Sequence, residues 1–222
     1  MLFVDWNSLA YLISLAATVA FAVTAVLAIR SDNDIDIVGA IILGLITAIG
    51  GGTVRDIILR VPVFWSLDLT YVWVATIASI AALYGRKVFS HRYLFALMLY
   101  LDGLGVAMFG VAATGKAWAL GFGLPAAPII MGVTTAIGGG LMRDVLAGRT
   151  TLLMRHEIYA TPVVLGSIVF AFILAYLPDY RMSGALACIA ASFALRAAAI
   201  YWDLSMPAFA RIDADDGRGA DQ

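Results

Sequence analysis

Charge is scarce in this chain of 222 residues: Asp, Glu, Lys and Arg together make up 13% of it, about half the roughly 25% of a soluble domain. Neither sign prevails, the formal net charge being −1, so the overall balance offers nothing to a nucleic acid. Cysteine is nearly absent. Cys188 is the single one and sits in an apolar run, which excludes a disulfide framework and leaves a structural thiol. There are two histidines; His156-Glu157 lacks the second histidine of a zinc helix motif, and His91 is far away in sequence. No nucleophile stands beside a base in the pattern of a hydrolase. The expectation is therefore no enzyme, no resident cofactor and no metal beyond a transient monovalent cation.

The opening MLFVDWNSLAYLIS is not expected to be a secretory leader, since it has no basic start and no small-residue cleavage site after a short apolar core. The first apolar run is expected to be retained as a helix. The last stretch, 207–222, is polar, acidic and glycine-containing, and is expected to be a disordered tail.

What the chain does have is apolar length. Hydrophobic residues make up 63% of it, with a mean hydropathy of +0.95. A soluble fold of this size could not hide that much apolar surface, since even a domain of about 300 residues buries only about 75% of what its chain exposes. A bilayer removes the difficulty. Crossing roughly 30 Å of hydrocarbon takes about 20 apolar residues, and seven runs qualify: 9–29, 38–58, 69–85, 94–114, 125–146, 159–178 and 183–202. Short polar connections separate them. Trp6, Trp65, Trp73, Trp118 and Trp202 fall at run ends, as in an interfacial belt.

Lys and Arg set the expected orientation. Outside the runs, eight lie on one side (Arg30, Arg86, Lys87, Arg92, Arg149, Arg155, Arg211, Arg218) and three on the other (Arg60, Lys116, Arg181). The positive-inside rule then puts the N-terminus outside and the C-terminus in the cytoplasm.

The chain also repeats itself. A shift of 88 residues lays Ile49-Gly50-Gly51-Gly52-Thr53-Val54-Arg55-Asp56 on Ile137-Gly138-Gly139-Gly140-Leu141-Met142-Arg143-Asp144 without a gap. The same shift pairs Gly44 with Gly132, Tyr71 with Tyr159, and Ser79-Ile80 with Ser167-Ile168. Three spans per half is an odd number, so the second half enters the bilayer upside down, the inverted-repeat plan of many transport proteins. The expected division is 1–88 for the first three-helix repeat, 89–179 for the inverted second, 180–206 for a seventh helix, and 207–222 for the cytoplasmic tail.

Two features inside the spans point to chemistry. Glycine costs about 1 kcal/mol in a helix interior relative to alanine, so Gly50-Gly51-Gly52 and Gly138-Gly139-Gly140 are expected to kink and locally unwind the second and fifth spans. Unwound backbone in hydrocarbon must face protein or a wet cavity, where its carbonyls could ligate a cation. Close packing is the competing reading, since small residues recur every fourth position at Ala40, Gly44, Ala48 and Gly52 and at Gly132, Ala136 and Gly140, a stripe that permits close helix contact. The second feature is charge within spans, which normally faces protein or water. Adjacent helical residues point about 100° apart, so Arg55 and Asp56 are expected to be poor partners for each other. Each Arg lies roughly 7 Å past mid-span toward opposite faces, so the two cannot exchange partners across the repeat. Asp102, in mid-span, is the candidate partner for Arg143, in either a structural or a gating role. Arg196 is expected to snorkel to the cytoplasmic face. The Gly110–Ala117 stretch has the outline of a phosphate loop, but it has Ala where Ser or Thr must hold magnesium and follows a membrane span rather than a strand.

Paired three-span units with Gly-Gly-Gly-x-x-Arg-Asp at 50–56 and 138–144, together with Ala28-Ile29-Arg30, Asp36, Gly39 and Asp102-Gly103-Leu104-Gly105, resemble the prokaryotic trimeric intracellular cation channels. The same unit has been catalogued as a small bacterial membrane family sometimes labelled a glycine transporter. The resemblance covers roughly residues 8–205. It implies an inner-membrane homotrimer in contact with membrane lipids, with an ion path inside each protomer between the two glycine-kinked helices, conducting potassium and other monovalent cations such as sodium. Arg55 and Arg143 stand where the animal members have a lysine-containing motif. Three functions are weighed: a passive cation channel, a secondary transporter of a small amino acid such as glycine, and a membrane scaffold. In the channel reading, Arg55, Asp56, Asp102, Arg143 and Asp144 are the gating or structural charges.

Overall fold

A computed structural model describes residues 5–29, 35–85, 91–155 and 158–204, and among them every regular element is helical. In chain order these are α1 (Trp6–Ala28), α2 (Ile37–Ile58), α3 (Phe64–Leu67), α4 (Thr70–Gly85), α5 (His91–Ala119), α6 (Ala126–Leu146), α7 (Thr161–Tyr176) and α8 (Arg181–Tyr201), with short 3₁₀ turns at Leu152–Met154 and Pro178–Tyr180. The seven expected spans correspond to α1, α2, α4, α5, α6, α7 and α8. Five of them are long and apolar enough to cross a bilayer, whereas α4 and α7 have 16 residues each, or roughly 24 Å at 1.5 Å per residue. The expected tail at 207–222, the 30–34 and 86–87 connections and His156-Glu157 lie outside the described residues.

Side chains start and stop these helices. Asp5 caps α1 by accepting from the Ser8 N–H at 2.9 Å, and Asp36 caps α2 through Gly39 at 2.7 Å, each satisfying a backbone donor that has no partner within the helix. Hydrogen bonding from Ser8 holds the Asp5 carboxyl below its ordinary range, and bonding from Thr70 does the same for Asp68 in the turn before α4. Within the spans, Thr18, Thr47, Thr53, Thr76 and Thr114 donate to carbonyls one turn back, which keeps their hydroxyls satisfied where lipid offers nothing.

The repeat continues into the caps. After α2, Arg60 donates to Ile57 O and Val61 to Asp56 O; after α6, Gly148 donates to Val145 O and Arg149 to Asp144 O. Both are Schellman closures with a left-handed residue, Arg60 at φ 56° and Gly148 at φ 63°. A left-handed non-glycine residue carries a cost of roughly 1–2 kcal/mol. Arg60→Gly is therefore expected to raise apparent stability by about 1 kcal/mol, read as a higher melting temperature in detergent; an unchanged or lower value would contradict the strain.

Packing reveals the symmetry. A Cβ at Gly51 would fall on the Thr135 carbonyl oxygen, and one at Gly139 on the Thr47 carbonyl oxygen. These two contacts exchange under the 88-residue shift and require α2 and α6 to cross antiparallel. Phe21 of α1 and Phe109 of α5, also 88 apart, stack with centroids 5.5 Å apart. A pseudo-two-fold axis thus passes near both contacts, and the halves are inverted. Around this centre α4 flanks α1 and α2, α7 flanks α5 and α6, and α8 packs on α5 and α7. The core gathers about Phe21, Phe109, Met98, Ala48 and Ala136. Leu12, Ile37, Ile57, Trp73 and Phe172 point outward, the surface a bilayer demands.

Candidate functional site

The glycine triplets do not unwind. Helix runs uninterrupted from Ile37 to Ile58 and from Ala126 to Leu146, so the free carbonyl ligands expected at Gly50–Gly52 and Gly138–Gly140 are absent. Five of the six glycines instead make room for a neighbour. Gly51 and Gly139 admit the opposing backbone. A Cβ at Gly52 would lie 2.6 Å from the Phe64 ring, and one at Gly140 would lie 3.1 Å from the Tyr159 hydroxyl and 3.2 Å from Asp102 Oδ1. A Cβ at Gly50 would lie 2.5 Å from the Met142 sulfur, and one at Gly138 would make only an ordinary 3.5 Å contact with Gly51 Cα. The helix propensity penalty is outweighed because backbone approach is available only without Cβ.

The two arginines anchor two charge clusters built on one plan. Arg55 Nε donates to Asp56 Oδ1 at 2.8 Å, and Arg143 Nε to Asp144 Oδ1 at 2.9 Å. Adjacent residues do pair here, contrary to the 100° expectation: a long Arg side chain wraps around the helix where a short one could not. The second carboxylate oxygen of each Asp accepts a backbone N–H eight residues on, Phe64 from Asp56 at 2.9 Å and Leu152 from Asp144 at 3.0 Å. Each Asp thereby ties its helix end to the following turn.

Beyond this shared frame the clusters diverge. Arg143 Nη1 donates to Asp102 Oδ1 at 2.6 Å and to Thr24 Oγ1 at 3.0 Å, and both charged side chains are 0% exposed. The anticipated Arg143–Asp102 pair is present, and Tyr159 is buried beside it. Arg55 has Ser14 in place of Asp102 under the repeat shift. Lys116 supplies its neighbouring charge, with Nζ donating to Asp56 Oδ1 at 2.7 Å, and the Phe64 ring lies 5.6 Å from its guanidinium. A vestibule of about 490 Å³ opens there, lined by Tyr11, Ser14, Arg55, Tyr71, Phe109 and Lys116 among others. At the Arg143 end the crevices beside Tyr159 hold about 10 Å³ and none.

Arg196 does not snorkel. It is 3% exposed, donates from Nη1 to Ile158 O at 2.9 Å and lies 5.1 Å from the Tyr159 ring centre. The extra helix α8 thus reaches the Arg143 cluster.

Sequence reasoning missed Lys116, set aside with the false phosphate loop, and the Phe21–Phe109 stack. Extending the 88-residue comparison upstream to residue 21 would have found the stack, but no sequence signal joins Lys116 to Asp56, 60 positions away. On α5, Asp102, Gly105, Phe109, Ala112 and Lys116 follow three- and four-residue steps and so share one face. That face runs from the closed cluster to the open vestibule.

Comparison with known proteins gives concordant results. A family model described as Glycine transporter matches residues 11–87 and again 99–175. A UPF0126 membrane protein of Vibrio cholerae is 38% identical over 207 residues, covering 92% of this chain and 84% of the relative. The UPF0126 inner membrane protein YadS of Escherichia coli is 37% identical over 207 residues, covering 91% and 97%. Among solved structures, a trimeric intracellular cation channel orthologue from Rhodobacter sphaeroides superposes with a TM-score of 0.81 at 35% identity, over 88% of this chain and 98% of that one.

Proposed function

The chain belongs to the prokaryotic trimeric intracellular cation channel family, whose sequence model carries the description Glycine transporter, and from that premise we propose that it is a potassium-preferring monovalent-cation channel with its ion path inside each protomer. The family is one of membrane channels with duplicated helical repeats, and not of enzymes. The proposed assembly is a homotrimer in the bacterial inner membrane, with the N-terminus outside and the C-terminus in the cytoplasm.

The observation that carries this reading is the file on α5, polar at both ends, open at Lys116 and closed at Asp102. Because α2 and α6 touch at Gly51 and Gly139, the route passes beside their crossing, not through it. It leads from the vestibule past the Phe21–Phe109 pair to the Arg143–Asp102 pair. The stacked rings form an apolar constriction of the kind that gates by dewetting, and the ion pair is the second barrier. Asp102 and Asp144 offset Arg143 along the way, and Asp56 offsets one of the two charges of Arg55 and Lys116. Purified protein in a planar bilayer under a potassium chloride gradient is expected to give unitary currents reversing near the potassium equilibrium potential. Reversal near the chloride value, or no current, would overturn the assignment.

One observation favours a second reading, a carrier for a small amino acid. A site open at one end and shut at the other between inverted repeats also suits alternating access. Turnover separates the two: a carrier gives slow, saturable uptake coupled to a gradient and no unitary currents.

A further inference from the structure

The two halves treat their arginines unequally, and the difference is a carboxylate. Arg143 has its Nη1 on Asp102 and is sealed from solvent. At the repeat-related position α1 carries Ser14, which lines the same vestibule, donates its hydroxyl to Ala10 O at 2.8 Å and offers Arg55 no negative charge. Arg55 uses Nε on Asp56, and among the described residues its two terminal nitrogens meet no acceptor. The side chain is 7% exposed and lines the vestibule, so that fork is nearly buried and aimed into the cavity. Arg55 and Lys116, the charged residues of the lining, share a single carboxylate, Asp56, which leaves one positive charge of that trio in excess.

We infer that the vestibule is a binding site for an amphipathic monocarboxylate, whose carboxylate takes at Arg55 the place that Asp102 takes at Arg143. Two parallel guanidinium N–H groups match a planar carboxylate, and Lys116 Nζ stands close by with further donors. The remaining walls are largely apolar, from Trp6, Val61, Phe64, Phe109, Ala112 and Leu120, and about 490 Å³ accommodates an aromatic or short aliphatic body. Inorganic phosphate fits poorly: it leaves those walls uncovered, and its second charge meets Asp56. A zwitterion such as glycine fits poorly as well, because its ammonium would lie beside two cations. Occupancy would close the vestibule half with the same kind of bond that closes the other. The binding itself does not depend on the channel reading, so a failed bilayer experiment would leave this site standing.

The test is isothermal titration calorimetry of the full chain in lipid nanodiscs with benzoate, alongside neutral benzamide, glycine and inorganic phosphate. Benzoate is expected to bind, and benzamide, glycine and phosphate at least about tenfold more weakly. Ser14→Asp places a carboxylate on Arg55 from within the protein and is expected to weaken benzoate binding by about tenfold or more, as is Arg55→Gln. No heat with benzoate, equal affinity for benzamide, tighter binding of phosphate or glycine, or full binding in folded Ser14→Asp would each overturn the proposal. The comparison of benzoate with benzamide needs no variant, so it decides even if a substituted chain fails to fold.

Discussion

Asp102→Asn is expected to raise the open probability of the channel by about tenfold or more and to change its voltage dependence. Asp102 lies 2.6 Å from Arg143 Nη1, with both side chains fully buried, the arrangement that the channel reading takes as closed. Removing one member of such a pair strands the other charge, at a cost of about 3–5 kcal/mol, and Asp144 and Thr24 compensate only in part. That cost falls on the state in which the pair is made. A state with Arg143 turned toward water loses nothing, so the equilibrium moves toward it; about 1.4 kcal/mol of difference is already tenfold. A charge crossing the field is worth about 2.3 kcal/mol per 100 mV, so freeing Arg143 also alters gating by voltage. Single-channel recording of the wild type, Asp102→Asn, Arg143→Gln and the double variant closes a mutant cycle. Wild-type open probability in Asp102→Asn, or strict additivity in the cycle, would reduce the pair to a structural contact.

The second large effect concerns the helix crossing. Gly139→Ala is expected to prevent correct assembly or lower stability by several kcal/mol, while its neighbour Gly138→Ala stays close to wild type. A methyl at 139 meets the Thr47 carbonyl oxygen, a backbone atom that cannot turn aside, so α2 and α6 must separate. Overpacking alone costs typically about 1–3 kcal/mol, and here the displacement also disturbs the symmetry-related contact of Gly51 with Thr135. A methyl at 138 would come no nearer than 3.5 Å, to Gly51 Cα, an ordinary contact. Melting temperature and the yield of monodisperse protein measure the contrast. Had the triplets served to unwind the helix, both substitutions would weaken the site alike; equal effects, or an inert Gly139→Ala, would restore that idea against the packing seen here.

Local features left a strong mark on the sequence. Apolar run length located all seven principal helices, because five of them have the length that the hydrocarbon width demands and the two shorter ones, α4 and α7, are still continuous apolar runs. The repeated Arg-Asp dipeptides were visible because both halves retain the same closure, with the Asp accepting the N–H eight residues later. The mid-span position of Asp102 and the need of Arg143 for a nearby carboxylate brought those two together in advance. The contacts of Lys116 with Asp56 and of Arg196 with Ile158 and Tyr159 were not legible, since they join elements distant in the chain at positions set only by packing.

By itself the sequence determined a membrane protein of two inverted halves with its charges grouped at repeat-related places. Only the tertiary structure decided what those places do. A glycine in a sequence states that a Cβ is missing, and whether the vacated volume frees a carbonyl or admits another backbone depends on which helix crosses there. Likewise, Ser14 against Asp102 is an unremarked difference until the fold sets each beside an arginine. One end is then sealed by a buried ion pair, and the other is left open with two cations sharing one carboxylate.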